Sequence, residues 1–397
     1  MDISEIFKAA NVLKGVVRKT DIIPASALPV DCDLYLKTEN LQLTGSFKLR
    51  GAYYKISQLT EEEKARGVVA CSAGNHAQGV ALGATRNGIK SIICLPAGAP
   101  LSKIEATKRY GAEVELVPGV YDDAYARAVE LRDQMGYTFV HPFDDEKVIA
   151  GQGSIGLEIL EQLPDVEAVV VPIGGGGLIS GIAFAIKNLR PDVKVYGVQA
   201  AGAPSMLDSL ADNERIRLNT VATIADGIAV KEPGVITFEM CRKYVDEVVS
   251  VSDDETAAAI LALMERQKVV AEGAGAVSVA AVLFNKLPLK GKKVVCVVSG
   301  GNIDVTTLNR VILRGLAQSG RNYTFEIELS DKPGQLAGVM DIIAEQGGNI
   351  ISVTHDRINH NSGINGCTIR VELESRDKDH INNIRLALTQ AGYIVKN

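Results

Sequence analysis

The chain has 397 residues, 46% of them apolar and 23% charged, with a formal net charge of −6. That length calls for two or three domains, and the composition is that of an ordinary soluble globular protein. No basic run is present, so neither nucleic acid nor an anionic membrane surface is an expected partner.

The opening stretch MDISEIFKAANVLKG is charged and amphipathic and lacks the apolar centre of a signal peptide. The runs IGGGGLISGIAFAI and AGAVSVAAVLF are too rich in glycine or too short to cross a bilayer. Cys32, Cys71, Cys94, Cys241, Cys296 and Cys367 show no CxxC spacing. Cys94 and Cys296 lie inside apolar strand-like runs, so buried free thiols and a cytoplasmic location are expected.

From about residue 30 to 318, short apolar runs alternate with longer amphipathic stretches. TGSFKLRGA, residues 44–52, is polar and turn-flanked and carries a single lysine, Lys48. GVVACSA reads as a strand and runs into the turn SAGN and a helical segment. SIICLPA and AEVELVP follow as strands, with a helical candidate at 122–135. AVVVPIG leads into four glycines and an apolar helix; VKVYGVQ, a helical candidate at 253–267, and KKVVCVVSG, ending in SGGN, come next. Nearly all-apolar strands separated by helices predict an α/β architecture with largely parallel sheets, buried on both faces and joined by right-handed crossovers. Sites in such sheets lie beyond the carboxyl ends of the strands, and SAGN, GGGG and SGGN each follow a strand-like run directly.

The pattern changes after the polar stretch LAQSGRN at 316–322, read as a linker. Tyr323, Phe325, Ile327 and Leu329 alternate as in a half-buried strand, and Leu336, Val339, Met340 and Ile343 recur at helical spacing before Gly347 and Gly348. A strand near 350–354 follows, then a strand with Ile369, Val371 and Leu373. A helix with Ile381, Ile384 and Leu388 and a closing strand in GYIVK complete the tail. The order βαββαβ is the ferredoxin-like plan and marks a separate domain.

A lysine in a polar, turn-flanked segment is ordinarily a solvated surface charge; one that does chemistry acts as a nucleophilic amine, usually as a Schiff base with a carbonyl cofactor such as pyridoxal phosphate. That cofactor also needs a phosphate cradle, a partner for its ring nitrogen and a binder for the substrate carboxylate. Bare glycines at a helix N-terminus let backbone N–H groups meet a phosphate closely, and 169–189 has that form, although a tightly packed turn would need the same glycines. The spacing fits neither GxGxxG nor GxxxxGK. In CSAGNHAQGVALGA, Ser72 and Asn75 suit a helix cap or a carboxylate binder equally well, and His76 has no partner at metal-ligand spacing. A serine in SGGN can meet a heteroaromatic nitrogen without charging it.

TGSFKLRGA, SAGNHAQGVA, GGGGLISG and SGGN, in that order, resemble the fold-type II pyridoxal-phosphate enzymes, and within them the threonine ammonia-lyases. The resemblance spans about residues 5–318, and the tail, with SDKPGQL and GGNI, resembles an ACT domain. It implies a two-lobed catalytic domain at 1–318, with the small lobe at roughly 44–145, and an ACT regulatory domain at 322–397. It implies Lys48 as the Schiff-base lysine, Phe47 beside the cofactor ring and Asn75 on its 3-hydroxyl. Gly174, Gly175, Gly176, Gly177 and Leu178 would hold the phosphate, and Ser299 would face the ring nitrogen. Ser72, Ala73, Asn75 and His76 would take the substrate carboxylate, and Glu272 would lie near the ring. The implied reaction is loss of the β-hydroxyl and amine from threonine or serine, with Lys48 as general base. Another β-eliminase or a racemase acting on serine is the alternative.

Serine racemases usually carry a second serine where this chain has Ala73. Metal-binding relatives carry a Glu where it has Gln199, so no metal is expected at that site. An amino-acid effector at the tail and a homodimer or homotetramer are also implied. A nicotinamide-dependent dehydrogenase lacks its fingerprint here, and an intact Lys48 and glycine loop speak against a purely sensory protein.

Overall fold

The computed structural model describes residues 1–357 and 365–396. The chain divides into two compact units, Met1–Asp304 and Val305–Asn397, so the helix Val305–Gln318 groups with the second unit rather than with the first, where the sequence reading drew it.

The first unit holds two sheets. One has six strands in the order Ile22–Pro24, Asp33–Lys37, Lys293–Val297, Ala168–Pro172, Lys194–Ala200, Glu247–Val251, all parallel except for the first pair. The other has four parallel strands in the order Glu113–Val117, Ser91–Pro96, Val68–Cys71, Thr138–Phe139. The central strands are apolar at every position because helices cover both faces: all residues of Val68–Cys71 and of Ala168–Pro172 are buried. AEVELVP departs from that expectation. It forms an edge strand with half-exposed faces, which explains its alternating glutamates. Residues 253–267 begin as an α-helix, Asp253–Ala262, and finish in a π-helical turn, Leu263–Gln267.

In the second unit the helix ends at Gln318 and the strand Asn322–Ser330 begins four residues later, so the linker is shorter than LAQSGRN. The helices Gln335–Glu345 and Lys378–Gln390 pack with a four-stranded antiparallel sheet ordered Asn349–Asp356, Gly366–Glu374, Asn322–Ser330, Ile394–Lys396. This is the ferredoxin-like order. Phe325, Ile327, Leu329, Ile369, Val371 and Leu373 fill its core from alternate strand positions, and Val339, Ile343, Ile384 and Leu388 face them from the helices.

Candidate active site

Strands running in parallel bring their carboxyl ends to one side of a sheet, and the lysine segment is fastened there. Ser46 bridges to Gly300, the Phe47 N–H donates to the Ser299 carbonyl at 3.1 Å, and the Gly301 N–H donates to the Gly45 carbonyl at 2.9 Å. TGSFK and SGGN, about 250 residues apart in sequence, are thus zipped together by backbone hydrogen bonds. The helix Lys48–Ser57 is held from below by Arg50, which is fully buried. Arg50 donates to both carboxylate oxygens of Glu39, at 2.9 and 2.8 Å, and to Glu158 at 2.6 and 2.9 Å. A guanidinium paired on both forks has one orientation, so the start of the helix is fixed.

Lys48 sits half-buried at that start. Its Nζ donates to the Pro142 carbonyl at 2.8 Å and lies 5.1 Å from the centre of the Phe47 ring. Burial pushes the amine down to about 8, with Glu272 opposing the shift. About a tenth of such an amine is unprotonated at pH 7, far more than an exposed lysine offers.

Beside it lies a chain of polar side chains. Asn302 donates to Asn75 Oδ1 at 2.7 Å, and Asn75 Nδ2 donates to Glu272 Oε1 at 2.6 Å. A carboxylate thus takes one of the two Asn75 amide hydrogens, leaving the other for a ligand. Glu272 is 5% exposed and is pushed up to about 7, chiefly by burial and then by Asp226, with Asn75, Lys103 and Lys48 opposing. Ser299 is buried, and its hydroxyl donates to the Ala274 carbonyl at 3.3 Å.

Two turns close the site, each between a strand and a helix. In the first, Gly176 takes φ +97°, a left-handed conformation that other residues adopt at a cost, and begins the helix Gly177–Leu189. A Cβ on Gly175 would stand 2.5 Å from the Phe143 ring, so this position also needs a glycine for packing. Among the described residues, the backbone N–H groups of residues 174–179 have no acceptor in the protein. Leu178 contributes its N–H to this set while its side chain enters the core. In the second turn, Gly74 precedes the helix Asn75–Arg86, and the Ser72 hydroxyl accepts from the Gly74 N–H at 3.2 Å. The N–H groups of Ala73, Asn75 and His76 likewise have no acceptor.

The His76 side chain does not face this turn. Its Nε2 meets the Val140 carbonyl at 2.8 Å in a buried position, and burial drives the ring down to about 3, so it is neutral and only its N–H belongs to the site. Sequence reasoning missed Asn302, Pro142 and Phe143. Asn302 lay within the SGGN motif, while Pro142 and Phe143, in HPF, carried no motif at all. The residues fit pyridoxal phosphate: a row of free N–H groups at a helix N-terminus suits its phosphate, and a depressed lysine amine suits its aldehyde.

Comparisons with known proteins agree with that fit. The family described as pyridoxal-phosphate dependent enzyme matches residues 13–300. The L-threonine ammonia-lyase of Thermotoga maritima is 53% identical over 396 residues, covering 99% of this chain and 98% of its own. Among solved structures, the processed form of threonine deaminase isoform 2 from Solanum lycopersicum is 38% identical with a TM-score of 0.75, covering 79% of this chain and 89% of that one. Maize serine racemase is 34% identical with a TM-score of 0.74, covering 80% of this chain and 98% of its own.

Proposed function

The chain belongs to the pyridoxal-phosphate dependent enzymes, and from that premise we propose that it converts L-threonine to 2-oxobutanoate and ammonium, with L-serine, giving pyruvate, as a second substrate. The observation that carries the reading is the Lys48 amine, pushed down to about 8 and placed next to Phe47 and the Asn75–Glu272 pair. The 53% identity to an L-threonine ammonia-lyase along nearly the whole chain points to the substrate.

Bound pyridoxal phosphate supplies an electron sink for the charge left when the α-proton departs. The N–H groups of residues 174–179 would hold its phosphate, Lys48 would tether it, Phe47 and Asn75 would flank the ring, and Ser299 would meet the ring nitrogen. A neutral serine there would leave that nitrogen uncharged, which would favour prompt loss of the β-group. The N–H groups of Ala73, Asn75 and His76, with the Ser72 hydroxyl, would orient the substrate carboxylate. Lys48 Nζ would take the α-proton as general base, its depressed pKa keeping it unprotonated often enough to act. Glu272, partly protonated near neutrality, holds Asn75 in place. Loss of the β-hydroxyl as water and uptake of water as the amine leaves balance the reaction. Formation of 2-oxo acid by the purified holoenzyme from a panel of hydroxy-amino acids is the test. Absence of 2-oxobutanoate from threonine would overturn the reading.

The likeness to maize serine racemase favours a second reading, racemisation of serine. Ala73 offers no proton acceptor on the opposite face, and chiral analysis of residual serine separates the two. For the tail, residues 322–397, we propose an ACT-type regulatory role. Every residue assigned to the chemistry lies before residue 305, and the edge strand Asn349–Asp356 leaves Ile351 49% and Val353 39% exposed, a surface that a second copy would cover. An amino-acid effector would bind where residues 331–336 of one copy meet 347–350 of another and shift activity by about 1–3 kcal/mol of coupling. Kinetics with and without isoleucine or valine, on the full chain and on a chain ending at Asp304, test it. A response that survives truncation would place the effector elsewhere.

A further inference from the structure

We propose that the second unit carries a binding site for a divalent transition ion of the zinc class, built from Asp331, His355 and Cys367. Each of the three offers a ligand atom, and those atoms all lie within 4.8 Å of one another. The backbone puts them there. Cys367 pairs with Leu329 across the antiparallel sheet, and Asp331 is two residues beyond Leu329, with its N–H on the Asn365 carbonyl at 2.9 Å. His355 pairs with Ile369, two residues beyond Cys367. Positions two apart share a face, so the three groups stand on one face at one end of the sheet, each of the outer two diagonal to Cys367. That face is the one carrying Leu329 and Ile369 into the core. Cys367 is 1% exposed, while Asp331 and His355 lie open to solvent, which gives an ion a route in.

The donors are free to act. Among the described residues neither the His355 ring nor the Cys367 thiol makes a hydrogen bond, and Asp331 is held only by an ion pair with Arg357 at 3.2 Å. Arg357 is 66% exposed and can turn into solvent when a cation takes its place. A mixed sulfur, nitrogen and oxygen set suits zinc, whose bonds of about 2.0–2.3 Å would draw the ligand atoms to roughly 3.3–3.8 Å apart. The Cys367 thiol gives its proton to solvent as the sulfur–metal bond forms, and Asp331 supplies the second negative charge against the dication. Three protein ligands leave the fourth tetrahedral position to water. The ligands come from two strands and from the residue just past the end of a third, with no motif spacing to reveal them in the sequence.

The test uses the full-length holoenzyme, freed of metal with a chelator and titrated with Co2+ as a spectroscopic stand-in, each spectrum taken as a difference so that the cofactor absorbance cancels. One Co2+ per chain should bind, with the visible bands of a tetrahedral ion and a near-ultraviolet thiolate-to-metal band, and Zn2+ should displace it. Cys367→Ser should remove the thiolate band. His355→Ala, at an exposed position that leaves the core untouched, should weaken binding at least about tenfold, since loss of an outer partner alone costs a metal site that much. Threonine turnover should persist in His355→Ala. No saturable Co2+ binding by the unmodified protein, or wild-type affinity in His355→Ala, overturns the proposal. Should Cys367→Ser fail to fold, His355→Ala alone decides.

Discussion

The two anion-ready turns differ in what surrounds them. At 174–177 a Cβ has almost no room: it would stand 3.0 Å from Ile228 at Gly174, 2.5 Å from Phe143 at Gly175, 2.8 Å from Met206 at Gly176 and 2.9 Å from Phe143 at Gly177. At Gly74 a Cβ would meet nothing within 4 Å. Both turns present free N–H groups at a helix N-terminus, yet one is clamped by its neighbours and the other is open on its outer side. A clamped turn loses no conformational freedom when it takes a ligand, which suits a group that stays through every turnover. An open turn can adjust to a substrate that comes and goes. Lys48 stands where the two meet: its amine bonds Pro142, next to the Phe143 that packs the closed turn, and Asn75 of the open turn reaches the Glu272 that acts on the same amine.

Removing what both turns serve should have the largest effect. Lys48→Ala should lose the protein-bound cofactor absorbance and lower threonine turnover at least about a thousandfold, within the range for removal of a positioned general base, while the fold persists. Visible spectra and turnover of the purified variant check it. A retained cofactor band with near-normal turnover would exclude Lys48 as the anchor.

The contrast itself is tested by adding one methyl group to each turn. Gly175→Ala forces a Cβ against the Phe143 ring, so it should cost about 1–3 kcal/mol of stability and weaken pyridoxal phosphate binding. Gly175→Asp adds a negative charge beside the phosphate and should weaken it further. Gly74→Ala meets open space and should change stability by no more than about 0.5 kcal/mol, with any effect falling on KM for threonine. Melting curves, titration of apo-protein with the cofactor and steady-state kinetics give the three readouts. Equal cofactor affinity in the two alanine variants would mean that the clamped turn is not the phosphate holder.

The same contrast marks what the sequence could reveal. The strands and turns were legible because all-apolar runs such as AVVVP and VVAC have only one stable place, between two helical layers, and a glycine cluster after such a run has few other uses. The tail was legible because alternation at Phe325, Ile327 and Leu329 gives way to helical spacing at Val339 and Ile343. The edge character of Glu113–Val117 was missed, although its two glutamates signalled it. Side-chain direction was not legible. His76 sits in the right turn but points into the core toward Val140, and nothing in SAGNHAQG distinguishes that from facing the substrate. Pro142 and Phe143 reach the site only through packing against residues far along the chain, and no local pattern encodes that.

The next effect in size concerns the bridge from the open turn to the lysine. Glu272 is pushed up to about 7 from an ordinary 4.5, so between those values the folded apo-protein holds a proton that the unfolded chain has released. Its contribution to stability therefore falls as pH rises from about 4.5 to 7 and stays reduced above. Glu272→Gln removes that slope, so the variant should gain on the wild type as pH rises through this window. His76, driven down to about 3, acts in the opposite sense, with stability lost as pH falls below 6.5. It does so in both proteins and cancels in the difference. Denaturant melts of the two apo-proteins at pH 5 and pH 8 measure the effect, and a constant difference between them would show that the carboxyl carries no burial penalty.

The smallest effect expected is at Ala73, in the open turn. An alanine there can neither take nor give a proton, so return of the α-proton from Lys48 alone would restore the configuration the substrate began with. Ala73→Ser adds one hydroxyl to a half-exposed position whose own backbone N–H is free, and room at Gly74 lets the turn accept it without strain. The variant should fold with wild-type stability, keep most of its elimination activity and form more D-serine from L-serine than its parent does. The gain should be modest, because a serine hydroxyl needs a neighbour to lower its pKa before it serves well as a base. Chiral analysis of serine left after partial turnover reads the ratio of racemisation to elimination directly. An unchanged ratio would mean that the open turn sets the substrate's position but not the face from which it is protonated.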